Sequence, residues 1–429
     1  MPSLLELLLT DDLEDLLPHR ERASAYKVNT PLTLLDSLEL TSTITICIVG
    51  DWKGEIFSLP LLQDGEEIRR VRAGDGATEA LLRLHELSAT SNFSLKFWQS
   101  EELQGERAIG VDQTEESIIV GERAIAKWFT HIEPSANSSL PRIEALCEAG
   151  FTAMPAPWLS LEWSEPSTGS AKLVALICDY LPGTQDGWEW ATGDLEKHLQ
   201  GNSTLDASTD FATEIATLIA LMHSAFSNCA LHPAEQADVD LWLREFSANL
   251  DKAVQVTTGE CGARLLIAAS KIRNWLSAFT INEFPPLTLI HGDLHIGQIL
   301  RSGSGIYSII DFDGNPTEDK GATLALEPLA KDLAGMLQSI DHIGRVVAKR
   351  TNGLHLQEIE LWIKKAQEKF QNSYLLNMPN PHENPFADEN ILLLFQFHQE
   401  FREFIYANSY LPNWIYVPDT SLPALVERI

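Results

Sequence analysis

LTLIHGDLHIGQILRSGSGIYSIIDFDG, running from Leu287 to Gly314, carries the densest chemistry in the chain. Two apolar runs, 287–290 (LTLI) and 306–310 (IYSII), predict short buried strands. Between them lies a loop with His291, Asp293, His295 and Gln298, and Asp311 and Asp313 follow the second run. Polar groups on loops held by a rigid core are a common way to build a reaction centre. Aspartate and glycine are also ordinary turn residues, so one Gly-Asp or Asp-Gly pair says little by itself. The full order says more. Asp293 would orient an attacking hydroxyl and accept its proton, while Gln298 and Asp311 would hold magnesium against phosphates, the parts that phosphoryl transfer requires. His291, Asp293, His295 and Asp311 could alternatively bind a transition metal for hydrolysis. If the backbone stays extended through Phe312, Asp313 shares a face with Asp311 and reaches the same metal; a turn at Asp313-Gly314 would redirect it.

Working outward, 429 residues with 44% hydrophobic content are enough for two or three substructures around a substantial core. The formal charge of -30, from 61 acidic residues against 31 Lys plus Arg, would repel nucleic acid and anionic membranes. It could help to collect a cationic substrate. Cys47, Cys147, Cys178, Cys229 and Cys261 are scattered without CxxC spacing, which argues against a disulfide scaffold and a structural zinc site. Residues 3–17 place leucines at helical spacing beside acids and predict a short amphipathic packing helix. The start has no basic region or small-residue cleavage site, and no run approaches a membrane span, so a cytoplasmic location is expected.

Residues 1–95 read as a hairpin-rich amino-terminal region: strands over 43–49, 55–62 and 66–72, then a helix over 77–87 after Gly74-Asp75-Gly76. In residues 96–185, strands are predicted over 106–111, 116–120, 124–129 and 173–180. Lys127 interrupts the apolar segment AIAKWF; it must snorkel to water or meet an anion, because burying an unpaired ammonium is costly. A helix opening at Arg142 carries Glu144, with Glu148 one turn onward. No GxGxxG phosphate loop is present. Residues 186–429 are mainly helical in pattern, with segments over 211–223, 234–254, 264–279, 327–337, 354–370 and 390–409.

HGDLHIGQIL followed by IIDFDG resembles the catalytic and metal-binding loops of the aminoglycoside phosphotransferase and choline kinase superfamily. Its His-Gly-Asp-Leu-His-x-Gly-Gln order is similar to the sugar-kinase branch that holds maltokinases and bacterial glucosamine kinases. The resemblance implies an α+β, bilobal protein kinase-like fold, with residues 1–95 as a cap, 96–185 as the nucleotide-binding lobe and 186–429 as the catalytic and acceptor lobe. It implies ATP and Mg2+ as cofactors, with Lys127 at the nucleotide phosphates, Glu144 as its partner, Asp293 as base, and Gln298 and Asp311 as metal ligands. His291 would buttress the loop, and Asp332 would stabilise the loop or a helix start. His223 is expected to pack or hydrogen-bond, and Trp188 to serve the core or cap a helix.

The tail FREFIYANSYLPNW resembles the end of sugar kinases in this branch, where Glu403, Tyr406, Tyr410 and Trp414 would meet an acceptor sugar together with His295 and Asp313. The chain has Asp-Phe-Asp-Gly where maltokinases resemble Asp-Phe-Glu-Gly, and its tail lacks their Tyr-Glu-x-x-Tyr-Glu pattern. The implied reaction is therefore ATP-dependent phosphorylation of glucosamine on its 6-hydroxyl by a monomer or weak homodimer. Maltose phosphorylated at its anomeric hydroxyl is the enzyme alternative, and a noncatalytic nucleotide or sugar sensor the alternative from another class.

Overall fold

In a computed structural model of the protein, the described residues are 32–429 except 52, 66, 89–90, 110–115, 133–138, 282, 315–325 and 379–383; the expected 3–17 helix lies outside them. They fall into two compact units, one holding the described residues up to 140 with 155–182, the other 141–154, 183–314 and 326–429.

The first unit is built on two antiparallel sheets. Strands β1 (Thr33–Glu39), β2 (Ile44–Gly50), β3 (Ile56–Asp64) and β4 (Glu67–Arg70) follow one another across the first sheet. A helix, α1 (Ala77–Arg83), follows. The second sheet takes the order β5-β10-β11-β8-β7-β6, from β5 (Phe93–Phe97), β6 (Glu106–Ala108), β7 (Glu116–Val120), β8 (Ala124–Trp128), β10 (Pro157–Ser164) and β11 (Ala171–Asp179); β9 (His131–Ile132) joins β3 in the first. β2 is apolar at consecutive positions because both its faces are covered. Ile44, Ile46 and Ile48 enter a core with Trp128, Trp158 and Leu161, and Cys47 and Val49 enter another with Phe57 and Leu59. Burial pushes the Cys47 thiol up to about 12, and none of the five cysteines forms a disulfide, in line with their scattered spacing. On β8, Ala124, Ala126 and Trp128 are buried, while Lys127 is half-buried with Nζ 5.4 Å from the Phe129 ring centre.

The helix α2 (Ser139–Glu148) opens the way to the second, mainly helical unit. It comprises α3 (Gly187–Leu199), α4 (Leu205–Ser208), α5 (Phe211–Cys229), α6 (Gln236–Val256), α7 (Gly259–Ser277), α8 (Leu329–Arg350), α9 (Leu356–Asn377), α10 (Glu389–Ser409) and α11 (Tyr416–Val426). α8 lies at the centre of this unit. It buries not only Leu333, Leu337 and Ile340 but also Asp332, Gln338, Ser339, Asp341 and His342, so its polar side chains must find partners inside. No helix among the described residues is long and apolar enough to cross a membrane.

Two small sheets frame the 287–314 stretch. β13 (Pro286–Thr288) lies between β12 (His232–Pro233) and β16 (Glu327–Pro328), and β14 (Ile299–Arg301) pairs with β15 (Tyr307–Ile309) as a hairpin. The first strand is shorter at its end than its apolar run suggests. Its partner β16 offers only two residues, one of them Pro328, which has no N–H to extend the ladder.

Candidate active site

The loop that follows β13 is shaped by buried anchors. Asp332, in the first turn of α8, accepts from the backbone N–H of His291 at 2.7 Å and of Gly292 at 2.9 Å, and pairs with His223 at 3.1 Å. His223 reaches on to the Tyr374 hydroxyl at 2.8 Å. Burial pushes the Asp332 carboxyl up, but the His223 hydrogen bond and the nearby donors outweigh it and hold the group below the usual carboxylate range. Farther along α8, Ser339 Oγ accepts from the Ile296 N–H at 3.0 Å. The loop is thus fixed at two points to one rigid helix.

His291 supports the loop, as expected. Its Nε2 faces the Ile310 carbonyl at 2.9 Å and its Nδ1 accepts from the Asp293 N–H at 3.3 Å, which requires the neutral ring with the proton on Nε2. Burial lowers its pKa and agrees with that form. Both ring nitrogens are spoken for, so His291 cannot join Asp293, His295 and Asp311 as a transition-metal ligand.

Arg142 is a residue that sequence reading treated only as a helix start. It is buried, and donates from Nε to the Ile290 carbonyl at 2.6 Å and from Nη1 to the Phe312 carbonyl at 3.2 Å, tying the two ends of the stretch together. Gly292, at φ 85°, passes so close that a Cβ there would stand 3.0 Å from Arg142 Nη2. The positive φ favours glycine, and a side chain there would also press on the Arg142 guanidinium.

Gln298 closes a short helical turn, Ile296–Gln298, and its side chain lies 3.4 Å from Asp311 Oδ2 and 3.4 Å from His295 Nε2. His295 Nδ1 accepts from the Gly297 N–H at 3.0 Å, so a neutral ring carries its proton on Nε2, facing Gln298. Turning the Gln298 carboxamide over would give that proton an acceptor and bring two oxygens, one amide and one carboxylate, side by side. Such a pair of hard oxygen ligands fits magnesium, which takes one or two protein ligands and completes its shell with water and phosphate. Asp311 is in the left-handed region at φ 65°, and turns occupy Phe312 and Asp313. Of the two alternatives for this segment, the backbone follows the turn and not the extended form that would put Asp311 and Asp313 on one face. β15 stops at Ile309, and the turn takes in Asp313 itself.

The carboxylate of Asp293 begins a ring of side chains. Arg402 Nη2 donates to Asp293 Oδ1 at 2.8 Å, and Arg402 Nη1 to Gln399 Oε1 at 3.2 Å. Gln399 Nε2 donates to Glu403 Oε1 at 3.0 Å, and Trp414 Nε1 to Glu403 Oε2 at 2.8 Å. Trp414 meets Trp188 edge to face at 5.4 Å, Trp188 lies 6.2 Å from His295, and His295 Nε2 is 3.9 Å from Asp293 Oδ2. Trp188 is half-buried here, and it is Trp190 that serves the core, donating to the Ile299 carbonyl at 3.0 Å. Its place depends on Gly187, where a Cβ would fall 1.7 Å from the Ile296 carbonyl oxygen.

The structure brings Asp293, His295, Gln298, Asp311, Glu403 and Trp414 together within the second unit. Tyr406 and Tyr410 instead meet one another with tilted rings, centres 5.4 Å apart, and are exposed. Glu144 is half-buried on α2, whereas Glu148 is exposed; Lys127 belongs to the first unit and Glu144 to the second. Arg402, Gln399 and Trp188 were missed as site residues. The spacing of Gln399, Arg402 and Glu403, three and four apart on one helix face, was the available signal.

The bilobal α+β architecture with its large helical lobe defines an aminoglycoside phosphotransferase-like kinase fold. No protein-family model matches the chain. It is 37% identical to a glucosamine kinase of Streptacidiphilus jiangxiensis, over 100% of this chain and 99% of that protein, and 34% identical to one of Mycolicibacterium smegmatis, over 92% and 98%. A solved glucosamine kinase in complex with glucosamine, ADP and inorganic phosphate matches at a TM-score of 0.81 with 36% identity, covering 99% of each chain. A second crystal form of a glucosamine kinase matches at 0.85 with 35% identity, covering 99% and 100%. The chain belongs to the glucosamine kinase family.

Proposed function

We propose that the protein transfers the γ-phosphoryl group of ATP to the 6-hydroxyl of glucosamine. The observation that carries this reading is the Asp293 carboxylate, held on an immobilised loop and closed into a ring of hydrogen-bonding and aromatic side chains suited to a polar sugar. The likeness over the whole chain to a kinase solved with glucosamine, ADP and inorganic phosphate supports the choice of acceptor and nucleotide. Asp293 orients the attacking oxygen and accepts its proton, and Arg402 holds the carboxylate in place. Glu403 complements the ammonium group of the amino sugar and Trp414 and His295 line its ring, with Tyr406, Tyr410 and Asp313 at the periphery. Lys127 of the first unit is assigned to the nucleotide phosphates and Glu144 of the second to nucleotide binding. Gln298 and Asp311 would hold Mg2+, which when bound neutralises phosphate charge. We read residues 1–95 as a cap and the enzyme as a cytoplasmic monomer or weak homodimer.

The test is incubation of the purified protein with Mg-ATP and glucosamine, glucose, maltose or aminoglycosides, with the phosphorylated position identified by NMR. Glucosamine 6-phosphate is expected; maltose 1-phosphate without it would overturn the substrate. Asp293→Asn should lower turnover by about 10²- to 10⁴-fold, and unchanged turnover would remove Asp293 from its role.

A further inference from the structure

A second buried histidine–carboxylate pair lies deeper in the same unit, behind the ring. His342 on α8 and Glu400 on α10 are 2% and 0% exposed, and His342 Nε2 is 2.8 Å from Glu400 Oε1. The same oxygen accepts from Gln338 Nε2 at 2.6 Å and from Ser421 Oγ at 3.0 Å, while Gln396 donates to Gln338 Oε1 at 2.8 Å. Three helices, α8, α10 and α11, are therefore joined at one carboxylate. Glu403 is one turn beyond Glu400 on α10, and Arg402 lies between them in sequence, so the rotation and height of α10 at Glu400 set where both side chains reach. α8 also holds the loop that bears Asp293, through Asp332 and Ser339.

We infer that His342 and Glu400 are positioning residues for acceptor binding: their buried pair fixes α10 on α8 so that Arg402 meets Asp293 and Glu403 meets Trp414. A hydrophobic contact could hold two helices together, but it is non-directional and would not fix their relative height as a short hydrogen bond to a buried carboxylate does. The nucleotide side has no share in this contact, so its binding should be insensitive to the pair. The inference rests on the proposed acceptor role of the ring and deepens it.

The experiment compares wild type with His342→Gln and His342→Asn. Glutamine places its amide nitrogen where histidine has Nε2 and can still donate to Glu400; asparagine is too short to do so. His342→Asn should raise KM for the acceptor about tenfold while KM for ATP stays within about twofold, and His342→Gln should recover most of the loss. Equal changes in both KM values, no change in either, or no difference between the two variants would overturn the inference. The acceptor is whichever sugar of the panel the wild type phosphorylates, so a wrong substrate appears in the wild type alone. Should the wild type phosphorylate none, crystal structures of the wild type and His342→Asn decide. Loss of the Asp293–Arg402 and Glu403–Trp414 contacts in the variant supports the inference, and their retention overturns it.

Discussion

The two buried histidine–carboxylate pairs of the helical unit, His223–Asp332 and His342–Glu400, use the same chemistry for different ends. Asp332 spends both oxygens on backbone N–H groups of the loop, Oδ2 on His291 and Oδ1 on Gly292, and Oδ2 also meets His223. Glu400 concentrates three donors on Oε1, and its Oε2 has no hydrogen-bond partner among the described residues. The first pair fixes a backbone conformation and the second fixes one helix against its neighbours. The loop is held through both oxygens of its carboxylate, the helix through one oxygen of the other.

Replacing each acid by its amide should separate them. In Asp332→Asn an NH2 group must face a donor that formerly had an oxygen, so a buried N–H is left unsatisfied and the charge is lost. About 2–3 kcal/mol of stability should go with it, together with most of the activity, because the His291-Gly292 backbone sets the direction of Asp293. Glu400→Gln can keep Oε1 for its three donors and put NH2 where Oε2 stood, so its cost in stability should be nearer 1 kcal/mol. Chemical denaturation of both variants beside wild type measures the difference. Equal losses would mean that the unpartnered oxygen of Glu400 makes no difference.

The pairs should also separate at opposite ends of the pH scale. Asp332 is held below its ordinary value of 3.8, so its contribution is present above that pH and is lost as pH falls through its folded-state value. Burial alone would lower His342, but Glu400, with Glu403 and Asp341, carries it up to about 9. A raised histidine contributes fully below its ordinary 6.5, and that stability is lost as pH rises from there to about 9. The Tm gap between wild type and Asp332→Asn should therefore hold at neutral pH and close below pH 3.8, while the gap to Glu400→Gln closes between 6.5 and about 9. Parallel curves would show that neither pair titrates as its surroundings dictate.

Much of the first pair's setting is legible in the sequence, and little of the second's. HGDLHIGQ and DFDG place Asp293, Gln298 and Asp311 because they are close along the chain and their spacing carries chemistry. Helices α5, α6, α7, α9 and α10 follow from apolar periodicity; α6 and α10 match to within two residues at each end, whereas α5 and α9 run on to Cys229 and Asn377, well past the predicted ends at 223 and 370, and α7 begins at Gly259 rather than 264. β1, β5 and β10 went unread, since their recognition depends on partners far along the chain. Arg142 is 148 residues from the Ile290 carbonyl that it holds, and His342 is 58 residues from Glu400. Nothing local distinguishes such residues from ordinary helix surface. The positive φ of Asp311 was hidden for another reason: Asp313-Gly314 signals a turn, but an aspartate at positive φ just before it looks in sequence like any strand-end acid.

The exposed end of α10 gives the smallest contrast, and it sharpens what the buried end does. If the helix is fixed at Glu400 and reads the sugar at Glu403, residues beyond should matter only as they approach the ring. Trp414 is tied to it by its indole N–H, whereas Tyr410 is 73% exposed and touches Tyr406 instead. Tyr410→Ala should cost less than about 0.5 kcal/mol in stability, as for other exposed positions, and leave KM for the acceptor within about twofold. Trp414→Ala removes a hydrogen bond and two aromatic contacts, and should raise that KM by about tenfold or more. Steady-state kinetics on the two variants settles the order. A larger effect at Tyr410 would mean that the tyrosine pair turns inward when sugar binds, and that the acceptor site extends beyond the ring closed by Trp414.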